Sequence, residues 1–169
     1  MATNYQRTKE CLSLAFNNLK RVIRNYDLDD YAGCIFRIQL SIEQLQKSLI
    51  FLLGIQFKKI HEPSKILKSL APNKINQIGK PRGTKIYRVA DLAEDIENEQ
   101  TKTRNCIIKQ GKLITPEERY DKTDSIRFIG DLVEIIEILI DLYHDFEDFD
   151  NEIIEFNKYY KKLNNYIKE

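Results

Sequence analysis

The sequence predicts an all-α fold: an antiparallel bundle of four to five long amphipathic helices plus one short helix. Three observations predict it. Apolar residues recur at steps of three and four along most of the 169 residues, glycine and proline number only six and four, and short Asp-, Thr- or Gly-containing breaks separate the periodic stretches. Sheet-rich folds with many tight turns use more glycine and proline. A hydrophobic share of 42% suffices for one continuous core, and 31% charged residues solvate its exterior, a balance that excludes a disordered chain. The length fits a single domain, 1–169.

The first helix is expected from about residue 4 to 26, with Leu12, Ala15, Phe16, Leu19, Val22, Ile23 and Tyr26 on one face. Asp27, Asp29 and Asp30 supply turn and N-cap chemistry, since a carboxylate accepts the first free backbone N–H groups. The second helix repeats the pattern through Tyr31, Ile35, Ile38, Ile42, Leu45, Leu49 and Leu52, and Gly54 is its expected stop. So short a connection makes the two helices antiparallel neighbours. A short helix begins at Pro63, whose missing N–H costs nothing in a first turn, and ends at Pro72-Asn73-Lys74. Residues 79–83 read as an exposed, flexible loop. Periodicity resumes at Val89, Leu92, Ala93 and Ile96, then weakens across Gln100 to Thr103. Thr115-Pro116-Glu117-Glu118 predicts one capped turn of helix, followed by a break near Asp121. A long apolar helix from about Thr123 carries Ile126, Ile129, Val133, Ile136, Ile140 and Tyr143 and is expected at the bundle centre. An additional helix is expected over about 150–168.

No stretch approaches the roughly 18 apolar residues of a membrane span, and the polar start resembles no signal peptide. Cys11, Cys34 and Cys106 are odd in number and widely spaced, and are expected as buried thiols in a reducing, cytoplasmic setting. No metal-ligand spacing and no cofactor motif is found. Asp145 to Glu152 lacks the ligand order and central glycine of an EF-hand and reads as a helix boundary; Gly79 to Lys85 does not match a phosphate-binding loop. Two histidines in unrelated settings give no nucleophile–base grouping.

The net charge of +1 conceals an asymmetry. Lys58 to Arg88 holds nine basic residues and one acidic residue, whereas Asp131 to Glu152 holds nine acidic residues and neither Lys nor Arg. Two readings follow: the basic segment collects phosphates of a nucleotide or RNA, or it pairs with the acidic helix of the same or another subunit. Tyr87 is its only aromatic, so the interleaving expected of a base-stacking surface is nearly absent.

The second helix carries a more specific signal. Gln39, Glu43 and Lys47 stand four apart on one edge, after the Asp29-Asp30-Tyr31 turn. With His61-Glu62-Pro63-Ser64-Lys65-Ile66-Leu67, then Arg104-Asn105 in an expected helix, then Glu118-Arg119-Tyr120-Asp121, the ordered set resembles the HEPN family (higher eukaryotes and prokaryotes nucleotide-binding domain) over about residues 8–145. The resemblance implies a prokaryotic helical domain that forms a homodimer around a composite RNA-binding cleft. It also implies a separately encoded minimal nucleotidyltransferase as partner, in a toxin–antitoxin-like or defence context. In ribonuclease members an Arg, often followed by Asn, positions the scissile phosphate, and a His a few residues later moves protons. Arg104-Asn105 matches the first half of that motif. Lys109 stands where the nearest His would be, and lysine, with a reference pKa near 10.4, is a poor base unless burial lowers it. His61 is expected as a helix-start residue and His144 as a surface or packing residue.

The sequence therefore predicts a nucleotide- or RNA-binding module without ordinary ribonuclease activity. Arg104, Asn105 and Lys109 form its candidate site, and Lys80, Arg82 and Lys85 are secondary phosphate contacts. Two other classes remain open: a divergent metal-independent endoribonuclease using Arg104 with Lys109, and a structural dimer whose acidic helix binds a basic protein.

Overall fold

The computed structural model describes residues 4–56, 62–70 and 72–168. Eight helices lie within them: α1 (Tyr5–Asp27), α2 (Tyr31–Leu52), α3 (Pro63–Lys68), α4 (Pro72–Ile78), α5 (Lys80–Glu97), α6 (Pro116–Arg119), α7 (Lys122–Tyr143) and α8 (Asp150–Lys168). Two three-residue strands, β1 (Ile107–Lys109) and β2 (Lys112–Ile114), pair antiparallel between α5 and α6.

The helix ends follow from local chemistry. Asn4 caps α1 through the Arg7 amide, and Asp30 caps α2 through the Gly33 amide at 2.9 Å. At the end of α2 the Gly54 amide donates to Phe51 O and the Ile55 amide to Ile50 O, a Schellman pair. Gly54 takes φ 65° there, a conformation that costs a residue with a Cβ more. Reciprocal capping boxes open α6 (Thr115 with Glu118) and α7 (Asp121 with Asp124).

Buried residues of α1, α2, α3, α5, α7 and α8 form one hydrophobic cluster. α2 contacts α1, α3, α5, α6 and α7, so it, rather than α7, is the central helix. Its circumference is mostly buried, including Gln39, Glu43 and Gln46. α7 was expected at the centre because its own face is so apolar. It instead lies beside α2, between α5 and α8, and spends its other face on ion pairs of Glu134 and Asp141. α1–α2, α2–α5, α5–α7 and α7–α8 are antiparallel pairs. α2 and α7 run in the same direction because α5 intervenes, as the contacts Tyr31–Ser125 and Ser48–Tyr143 require.

Four local expectations are corrected. Residues 79–83 are not a loop: Gly79 precedes α5, and Pro81 sits in its first turn, where no amide is needed. A Cβ on Gly83 would lie 2.9 Å from Ile75 Cγ2, so glycine here lets α4 pack against α5. Pro72 starts α4 instead of ending α3, for the same first-turn reason. Arg104-Asn105 lies in consecutive turns after α5, not in a helix, because Thr101, Thr103 and Asn105 have side chains that compete for backbone groups. Cys106, in the connection to β1, is exposed, while Cys11 and Cys34 are buried. The acidic stretch near 145–152 is the α7–α8 boundary, with Asp148 at φ 75°. No helix among the described residues is long and apolar enough to cross a membrane.

Candidate functional site

The chain between α5 and α7 builds a polar cleft. α5 ends at Glu97, and the Thr103 and Asn105 amides close turns onto Glu99 O and Thr101 O at 3.0 and 3.1 Å. The Thr103 hydroxyl, buried, lies 3.3 Å from Gln39 Oε1 and ties this turn segment to α2. The hairpin follows. Its tip, Gln110-Gly111, has φ 52° and 77°, the two positive values of a type I′ turn. Its register sets Lys109 opposite Lys112 and Ile108 opposite Leu113.

Lys109, Glu99, Arg119, Tyr120, Asp124 and Arg127 line a cleft of about 280 Å³. Glu99 is its organiser. The Tyr120 hydroxyl donates to Glu99 Oε2 at 2.6 Å, Lys102 reaches Oε1 at 3.0 Å, and Arg119 lies 3.4 Å from Oε2. Burial alone would raise the Glu99 carboxyl, but Tyr120, Lys102 and Arg119 together hold it below the ordinary carboxylate value. The Tyr120 phenol is pushed up, first by burial and then by its bond to Glu99. Tyr120 therefore stays protonated and Glu99 charged at neutral pH. Arg119 keeps its enclosed Nε without a hydrogen-bond partner among the described residues. The lining sets three cations, Lys109, Arg119 and Arg127, against two carboxylates, Glu99 and Asp124, so the cleft keeps a net positive charge.

The sequence-predicted residues separate into two groups. Lys109 lines the cleft. Arg104 and Asn105 are exposed on the neighbouring turn, and the Arg104 guanidinium sits 5.0 Å above the Phe36 ring, a cation–π contact that steers it along α2. Lys80, Arg82 and Lys85 lie elsewhere, on α5. Arg82 pairs with Asp145 at 2.7 Å, Lys85 with Asp141, and Arg88 with Glu134 through two bonds of 2.6 and 3.0 Å. The basic segment thus meets the acidic helix of its own chain. Arg82 stands opposite Asp145, about 27 Å along α7 from Arg127 at 1.5 Å per residue. His144, the exposed C-cap of α7, is about 25 Å from Arg127 on the same measure. His61 lies outside the described residues.

Glu99, Arg119 and Arg127 were not among the predicted site residues. The signal for Arg119 was present in Glu118-Arg119-Tyr120-Asp121, next to the capping aspartate of α7. Nothing local marks Glu99, whose role follows only from the way α5's turns fold back on α6.

Comparison with protein families adds a decisive observation: the HEPN domain model matches residues 8–143. The chain belongs to the HEPN family. The matched region begins within α1 and ends with α7; it takes in the hairpin and the cleft, and α8 follows it. Comparisons with curated proteins and with solved structures find no match. Among the described residues helices dominate and the sheet is a single hairpin, the all-α architecture expected of a HEPN bundle.

Proposed function

We propose that this HEPN protein is a cytoplasmic nucleotide- or RNA-binding module that acts as a homodimer. Its phosphate-binding surface is the cleft of Lys109, Arg119 and Arg127, flanked by Arg104 and Asn105. The observation that carries the reading is the convergence of these three cations from a hairpin, a one-turn helix and a long helix on one cleft, where Glu99 engages Arg119 alone of the three. Cations on rigid, separate elements hold phosphates better than a flexible run of lysines, because less order must be imposed on binding. Arg82 and Lys85, already paired with carboxylates, are lesser contacts, and Lys80 is exposed at the start of α5.

Dimerisation is supported by the hairpin. Ile108 and Leu113 are cross-strand partners and stay 78% and 58% exposed beside the Arg104 turn. Two adjacent large apolar side chains on a projecting hairpin suit a second copy of the chain, which would bring two clefts together. The double variant Ile108→Asp/Leu113→Asp is expected to turn a dimer into a monomer in light scattering, with unchanged helical circular dichroism. A wild-type monomer would remove this part of the reading.

A separately encoded minimal nucleotidyltransferase is the protein partner we assign on the family's habit, in a toxin–antitoxin-like or defence setting. The divergent ribonuclease reading, Arg104 with Lys109, gains no base from His144 within one protomer, given the distance along α7. The proposal is tested by titrating a labelled single-stranded RNA and, separately, ATP at low salt, where phosphate contacts are strongest. Binding that weakens in Lys109→Ala and Arg127→Ala, but little in Arg82→Ala/Lys85→Ala, supports the cleft. Absence of binding to both ligands contradicts it.

A further inference from the structure

A second concavity lies on another side of the bundle. α1 and α8 run side by side in the same direction, since Tyr5 meets Phe149, Phe16 meets Phe156 and Tyr26 meets Tyr166. Between them is a groove of about 790 Å³, larger than the cleft at Lys109. α1 turns its other edge, through Asn18, toward Arg37 of α2. α8 follows the segment matched to the family, so the groove depends on a helix outside the matched residues.

The floor is apolar and the rim is basic. Phe16, Ile23 and Tyr159 form the floor, and Lys9, Lys20, Lys158 and Lys162 border it, against two glutamates, Glu152 and Glu155. Glu155 is engaged by Lys158 at 3.3 Å. Three of the four lysines, Lys20, Lys158 and Lys162, gather toward the end where Ile23 and Tyr159 lie. At the opposite end, beside Lys9, the Glu152 Oε2 atom is enclosed and has no hydrogen-bond partner among the described residues. The lining on α1 from Lys9 to Ile23 spans about 21 Å at 1.5 Å per residue, the length of four helical turns.

Two chemistries would answer lysines over an apolar floor: nucleic acid and an acidic peptide. The floor decides between them. Phe16 stacks on Tyr159 at 5.9 Å and 16° and meets Phe156 edge-on at 5.0 Å, and Tyr159 is 7% exposed. Ring faces spent on one another offer bases no stacking platform, which single-strand binding needs. The same floor accepts aliphatic side chains at i, i+3, i+4 and i+7 of a helix, with acidic residues meeting the lysine rim.

We propose that the α1–α8 groove docks an acidic amphipathic helix of a partner protein, about four turns long, independently of the phosphate-binding cleft. The test uses the full chain and a labelled 16-residue helical peptide with leucines at those spacings and glutamates elsewhere. The same peptide with lysine for glutamate, and a single-stranded RNA, serve as comparisons. The acidic peptide is expected to bind wild type and Arg104→Ala alike. It should bind at least about tenfold more tightly than its basic counterpart, and lose at least about tenfold in affinity to Lys20→Glu/Lys158→Glu/Lys162→Glu. Amide NMR shifts on binding should centre on Asn17, Ile23 and Tyr159. The proposal is overturned if the acidic peptide does not bind, if the triple variant binds it unchanged, or if the triple substitution abolishes RNA binding instead. Circular dichroism and melting of the triple variant, whose substituted side chains are exposed, separate lost docking from lost folding.

Discussion

Glu97 shows how much of this molecule rests on single polar side chains inside an apolar bundle. Half-buried at the end of α5, its Oε1 accepts from Gln46 Nε2 at 2.8 Å and from the Ser64 amide at 3.2 Å, and its Oε2 accepts from the Ser64 hydroxyl. It thereby pins the start of α3, whose own N-cap residue Glu62 makes no side-chain cap. Burial raises its carboxyl above the ordinary 4.5, and these hydrogen bonds only partly oppose the rise. The folded state then binds the proton more readily than the unfolded state. The protonated form's stabilisation is complete below the unfolded value and is lost as pH rises through the folded one. Glu97→Gln keeps an acceptor for Gln46 and cannot ionise. The melting-temperature difference, variant minus wild type, is expected to grow between about pH 4.5 and neutrality, measured by calorimetry in matched buffers. A pH-independent difference would contradict the assignment.

At the scale of elements, the helix ends were the most legible part of the sequence, because caps are written in one or two residues. Asp30, Gly54 and Thr115 announce their roles, and each performs it; at Asp121, where the sequence marks only a break, the side chain caps α7. Replacing Asp121 with Ala removes the side-chain half of the α7 box, the acceptor of the Asp124 amide, and is expected to cost about 1 kcal/mol in denaturant unfolding; a loss below a few tenths would show that α7 is held by packing alone. Two elements were illegible for physical reasons. Gly79-Lys80-Pro81-Arg82-Gly83 has loop composition, yet Pro81 falls in the first turn of α5 and Gly83 faces Ile75, a tertiary contact that no local pattern reveals. The hairpin rests on Gln110-Gly111, and glutamine is not the usual first residue of a type I′ turn. Flanked by three-residue strands, it presents too little alternation to be read.

The charge asymmetry belongs to this scale as well. Read as a line, the basic segment suggested phosphate; folded, α5 lies antiparallel to α7 and its cations find carboxylates. These pairs are exposed, so each is worth roughly 0–1 kcal/mol and less at high salt. Arg82→Ala/Lys85→Ala is accordingly expected to shift stability by no more than about 1–2 kcal/mol and to leave RNA affinity within about twofold. A tenfold loss of RNA affinity would return these residues to the binding surface.

For the whole molecule, one hydrophobic cluster fixes two separate surfaces. α2 stands at the centre, with Leu12, Ile35, Ile38, Leu45 and Ile136 fully enclosed around it, and this frame positions the cleft through Gln39 and Thr103. Tyr143, also fully buried, donates to Ser48 Oγ at 2.8 Å and joins α7 to α2. The site was half legible. Lys109 was named because of its spacing from Arg104, but the cations it joins, Arg119 and Arg127, come from elements whose approach is set by the bundle. Arg104 itself lies over Phe36, beside the cleft and not within it.

The most direct measurement is the salt dependence of RNA affinity for wild type and Lys109→Ala/Arg127→Ala. If the cleft neutralises phosphates, the logarithm of the binding constant falls linearly with that of salt concentration. The double variant should then bind more weakly and show a slope reduced by roughly 0.7 for each phosphate contact removed. An unchanged slope and affinity in the variant would contradict the assignment of this cleft.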